Sequence, residues 1–97
     1  MKNTMLRGKL LKLLAEFYPD GMELSSLVSI YYQYEKVDDI EKSIHYLVDK
    51  NLVSKTVSPH PFKEQKTIEY YKITPEGLDL VEGNVSNDPG IIIPLEV

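Results

Sequence analysis

Ninety-seven residues make a chain of one-domain size, and the absence of cysteine excludes a disulfide framework and a thiolate metal site. The net charge is −4, but residues 1–72 hold all eleven Lys and Arg against ten acids, whereas 73–97 hold five acids and no base. The acidity is thus largely C-terminal, and the total does not exclude a DNA-facing surface. No apolar run approaches the roughly eighteen residues of a membrane span, and charges interrupt the N-terminal apolar positions where a signal peptide needs a continuous core. A soluble cytoplasmic protein is expected, with no cofactor and no membrane contact.

In chain order, residues 4–18 read as a first helix with Leu6, Leu10, Leu13, Leu14 and Phe17 on one face. Leu11 falls off that stripe, an exposed leucine or part of a partner surface. Pro19-Asp20-Gly21 is a turn, and Met22-Glu23-Leu24 is long enough only for a short strand. Ser25 is the expected N-cap of a second helix over about 26–34, with Leu27, Val28 and Tyr31 inward. Glu35-Lys36-Val37 is then the turn into a third helix.

That third helix, expected over 38–50, is the most strongly patterned stretch. Ile40, Ile44, Leu47 and Val48 recur as one helical stripe. Asp38 stands at the N-cap position, and Glu41 completes a capping box. Lys50-Asn51 ends the helix, because Asn enters the left-handed region cheaply. A strand at 52–57 follows at once, and a second at 66–73 returns. Between them Pro59 and Pro61 bar the segment from a ladder interior and predict an exposed loop. Thr74 caps a fourth helix over 75–82, with Pro75 at its first position, Leu78 and Val81 inward, and Gly83 as its stop.

Residues 84–97, after a domain over 1–83, form an extended tail containing Ile91-Ile92-Ile93 between Pro89 and Pro94. Extended side chains alternate faces, so the three isoleucines cannot share one surface. The tail is expected against the first and fourth helices, with Leu11 as a candidate contact. It packs on its own chain or builds a homodimer through the first helix and the tail.

The element order over residues 5–83 resembles the winged helix-turn-helix superfamily. The resemblance is carried by DKNLVSK at 49–55, a helix end running straight into a wing strand, and by YYKITPEGLDLVEG at 70–83. The latter is similar to the sequence closing the wing in PadR-, MarR- and ArsR-like regulators. The segment TPEGLDLVEGNVSNDPGI also looks like the end of small winged-helix proteins of Mu-like prophages. The resemblance implies an α+β fold with a three-helix core, a two-stranded wing, a C-terminal helix and a tail. It further implies a DNA-binding transcriptional regulator. With no cysteine, the metal-binding and oxidation-sensing cysteines of ArsR- and MarR-like proteins are missing.

A helical wheel places Asp38, Asp39, Lys42, His45, Tyr46 and Asp49 opposite the apolar stripe of the third helix. In such a protein this face meets the major groove. Lys42 suits a guanine edge or a phosphate, Tyr46 a phosphate or a thymine methyl, and His45 either. The aspartates oppose phosphate contact, and Asp38 and Asp39 read better as complements to the helix N-terminus. In the wing, Lys55, His60, Lys63 and Lys66 face one acid, Glu64, and suit phosphates or the minor groove. Lys2, Arg7, Lys9 and Lys12 extend the positive surface or make an ordinary solvated face.

His45 and His60 lie fifteen residues apart in different elements and make no zinc site by local spacing. The seven tyrosines are better explained as packing positions than as a single-strand stacking platform. No nucleophile–base motif or phosphate-cradling glycine loop points to an enzyme. Two functions remain: a reader of double-stranded DNA using the helix at 38–50 and the wing at 55–66, or a protein-interaction module.

Overall fold

The computed structural model describes residues 3–95 as an α+β fold of four helices and a three-stranded antiparallel sheet. The order is α1 (Thr4–Phe17), β1 (Met22–Glu23), α2 (Leu24–Tyr31), α3 (Val37–Asp49), β2 (Val53–Pro59), β3 (Thr67–Ile73) and α4 (Pro75–Glu82). The sheet order is β1-β3-β2, so β3 is central. Met22 pairs with Tyr71 and Glu23 with Tyr70, while β2 runs against β3 from Val53↔Ile73 to Pro59↔Thr67. Beyond Tyr70 the hairpin is therefore a two-stranded ribbon. No helix among the described residues is long and apolar enough to cross a membrane.

The core gathers Leu6, Leu10, Leu11 and Leu14 of α1 with Leu27, Ile40, Ile44 and Leu47 of the next two helices. Val53, Tyr71, Ile73, Leu80 and Ile91 close it. Leu11 is 0% exposed, which overturns its assignment as an off-stripe surface residue. The reason is tertiary: α1 packs against α3, α4 and β3 at once, so its buried arc is wider than one amphipathic stripe. Phe17, expected inside, lies past this packing and is exposed. In α4, Gly77 and Leu80 are the buried positions, with Leu78 and Val81 partly buried against the core.

Helix starts differ from the expected caps. Lys36 is the N-cap residue of α3 and Glu23 that of α2, both in extended backbone and neither with a side-chain cap bond. Asp38 consequently sits in the first turn of α3, where its charge complements the helix dipole without capping it. Ser25 lies inside α2 and donates to Glu23 Oε2 at 3.3 Å. α2 ends at Tyr31 instead of 34, and residues 32–36 form the turn. The α4 cap stands as expected: Thr74 Oγ1 accepts from the Gly77 N–H at 3.1 Å, and Gly83 ends the helix at φ 78°. Asn51 takes φ 63° after α3. Pro59 belongs to β2 and is not a loop residue, as an edge strand allows where the missing N–H faces outward.

After α4 the chain turns back along α1. The Ile92 N–H donates to Thr4 O at 3.1 Å, Arg7 Nη1 to Gly90 O at 3.1 Å and Lys12 Nζ to Pro94 O at 3.2 Å. Gly8 permits this approach, since a Cβ there would overlap the Ile92 carbonyl. Ile91 is 5% exposed and Ile92 51%, with Ile93 partly buried, so the triplet divides between surfaces as alternation requires. The tail thus docks on α1 of its own chain, and Leu11 is already used within that chain.

Candidate nucleic-acid interface

Two elements present the expected site residues, the exposed side of α3 and the β2–β3 hairpin. On α3 the burial of Ile40, Ser43, Ile44 and Leu47 turns Asp38, Lys42, His45 and Asp49 to solvent. Lys42 Nζ lies 3.1 Å from Asp38 Oδ2, one turn back, with both side chains highly exposed. Such an i,i+4 pair is weak and opens readily, but it sets the only Lys or Arg of the helix against a carboxylate.

Tyr46 is not available on this face in the expected way. The Arg7 guanidinium lies 3.7 Å from its ring centroid, Lys50 Nζ lies 6.0 Å away, and a Cβ on Gly90 would collide with its hydroxyl. Tyr46 is thereby sandwiched between α1 and the tail. Arg7 Nε is buried without a hydrogen-bond partner, and the ring face beneath the guanidinium compensates as a cation–π contact. Neither Arg7 nor Lys12 is a free surface cation, because both hold tail carbonyls. Lys9 is exposed, and Lys2 lies outside the described residues.

In the hairpin, Lys55 Nζ sits 3.5 Å from Glu69 Oε1, and the Tyr71 hydroxyl donates to the same oxygen at 2.8 Å. The Tyr71 hydrogen bond, with Lys55 and His45 nearby, holds the Glu69 carboxyl below the usual carboxylate range. Burial chiefly, and then Glu69, push the Tyr71 hydroxyl up. His45 of α3 adds the least of these pulls on the Glu69 carboxyl. Glu41 of α3 adds a lesser upward push on the Tyr71 hydroxyl, so carboxylates as well as cations act between the two elements.

At the far end, the His60 N–H donates to Lys66 O at 2.9 Å and closes the loop. His60 Nδ1 accepts from the Phe62 and Lys63 N–H groups, each at 3.1 Å, so His60 is a loop brace. Lys63 and Lys66 are exposed, with no carboxylate at ion-pair distance among the described residues. Phe62 beside them is 90% exposed.

Of the seven expected site residues, the hairpin groups Lys63 and Lys66 around His60, while Lys42 and His45 share α3. Lys55 is paired and Tyr46 is held by the tail. Sequence reading missed the Arg7–Tyr46 contact, whose partners lie far apart in the chain, and gave Phe62 no role within the exposed loop it expected there. Among the described residues no group of three His, Cys, Asp or Glu could hold a metal ion. No family model, curated protein or solved structure matches the chain.

Proposed function

We propose that this chain is a winged helix-turn-helix protein that binds double-stranded DNA, with the β2–β3 hairpin as its wing and α3 toward the major groove. The observation that carries the reading is the projecting hairpin whose tip cations, Lys63 and Lys66, are exposed and have no ion-pair partner among the described residues, beside a solvent-open helix. Phosphate neutralisation supplies most non-specific affinity, so the wing contributes more binding than α3. The α3 side chains Lys42 and His45 serve sequence preference. Occupancy of a site in this way regulates transcription from within the cytoplasm.

Of the tail's two acids, Asp88 is paired with Lys50 at 2.8 Å, which lessens its repulsion of phosphate. Pairing of two copies is not required by it either. The deciding experiment is duplex affinity measured against salt concentration. The logarithmic slope should be steep and should lose about 0.9 for each phosphate contact removed by Lys63→Ala or Lys66→Ala. Absent binding, or affinity indifferent to salt, refutes the proposal.

One observation favours a second reading. The α3 segment carries Asp38, Asp39, Glu41 and Asp49 against Lys42, which is already paired. An acidic helix of this kind suits a basic protein surface. In that case duplex binding is absent and a charge reversal at Asp38 and Asp39 abolishes partner capture.

A further inference from the structure

The hairpin tip holds an aromatic ring in water within an ordered loop. Phe62 is 90% exposed, yet its own N–H and that of Lys63 are both tied to His60 Nδ1 at 3.1 Å. The His60 ring meets Phe62 edge-on, with centroids 6.3 Å apart and planes at 66°. Pro59 and Pro61 restrict the approach, and Gln65 turns the chain back at φ 61°. A ring that only happened to be exposed would not need this bracing, since folding gains nothing from it. A ring that must enter a partner does, because an ordered loop loses little further entropy on binding.

The immediate surroundings define the partner. Lys63 follows the ring in the loop and Lys66 pairs with His60 across its base, both exposed with no carboxylate at ion-pair distance among the described residues, which calls for an anionic partner beside an apolar slot. Below the tip the hairpin is two strands wide, since β1 pairs only with Tyr70 and Tyr71. Strands in a sheet lie about 4.8 Å apart, so a ribbon with its side chains is too broad for a minor groove about 6 Å wide, whereas a single leading ring fits. Apolar wedges that enter this groove unstack a base step and bend the duplex away. One ring is too little apolar surface to hold a bilayer.

We infer that the hairpin tip is a braced aromatic wedge for the minor groove of duplex DNA, with Phe62 entering a base step and Lys63 and Lys66 held on the flanking phosphates. This rests on the duplex-binding reading above and specifies how that duplex is engaged. His60 is a positioning residue that aims the ring.

The test uses the full chain and short A·T-rich and G·C-rich duplexes carrying 2-aminopurine at successive positions. Anisotropy reports binding, and 2-aminopurine fluorescence reports unstacking. The wild-type protein should bind and raise the fluorescence. Phe62→Ala should abolish the rise and weaken binding roughly fivefold to a hundredfold, the range of one lost base–aromatic contact. Its salt slope should stay unchanged, because no phosphate contact is lost. Phe62→Leu should keep most of the rise. If Phe62→Ala binds and unstacks like the wild type, the wedge is refuted and duplex binding stands. If the wild type binds none of the duplexes, both readings fall. Binding to anionic phosphatidylserine vesicles that depends on Phe62, without unstacking of DNA, would overturn the inference in favour of a lipid surface.

Discussion

Lys50 Nζ lies 2.8 Å from Asp88 Oδ2 and ties the residue that caps α3 to the tail following α4. Asp88 Oδ1 also accepts the Gly90 N–H at 2.7 Å, shaping the turn that sends the chain toward α1. The Lys50 hydrogen bond first, and then the Gly90 N–H, hold the Asp88 carboxyl below its ordinary value, while Asp88 raises the Lys50 ammonium.

The pH dependence of this clasp follows from those directions. A depressed carboxyl stabilises the fold above its unfolded value, near about 3.9, and loses that contribution as pH falls through the lower folded value. A raised ammonium stabilises below its unfolded value, near about 10.4, and loses its share as pH rises through the higher folded value. The melting-temperature gap between wild type and Asp88→Asn should therefore be level from about pH 5 to 9 and close at both extremes. Asp88→Ala should melt lower still, by about 4–8 °C, since it also removes the Gly90 bond worth about 1 kcal/mol.

The isoleucine triplet should respond unequally to truncation. Ile91→Ala removes a buried side chain and should cost about 2–4 kcal/mol in denaturant unfolding. Ile92→Ala, at a half-exposed site, should cost under about 1 kcal/mol. Equal costs would contradict the alternation of the tail.

Gly8→Ala pits helix propensity against contact. Alanine is favoured in a helix by about 0.8–1 kcal/mol, but the added methyl overlaps the Ile92 carbonyl, which is backbone and cannot rotate away. Contact should win, with net destabilisation of about 1–3 kcal/mol. A melting curve equal to or above the wild type would show that the tail yields.

On the DNA-binding reading, Asp38→Asn should raise duplex affinity by releasing Lys42 from its 3.1 Å partner and removing a charge that repels phosphate. The gain should be several-fold at low salt and shrink as salt is added. Lys63→Ala with Lys66→Ala should weaken binding on every sequence and flatten the salt slope by up to about two. Lys42→Ala should instead relax sequence preference, read by competition between duplexes.

Local chemistry was legible wherever neighbours in the chain decide the outcome. The α4 cap at Thr74, its stop at Gly83, the left-handed Asn51 and the apolar stripe of α3 all depend on residues within a few positions. Element order followed from the same short-range signals. The caps at Asp38 and Ser25 failed because each helix begins one or two residues earlier, where the chain leaves extended backbone, and capping residues inside a first turn are used for charge or side-chain bonds instead.

For the candidate site, the side chains of the hairpin and of α3 could be named from the sequence, since periodicity tells which side of an element faces outward. Their availability could not. Tyr46 meets Arg7 and the tail near Gly90, Lys55 meets Glu69, and Leu11 is enclosed because α1 packs on several elements at once. Each of those outcomes joins segments distant in the chain. Periodicity counts the faces of one element, whereas which faces are covered depends on how many other elements pack against it, and that is set only when the whole chain closes on its core.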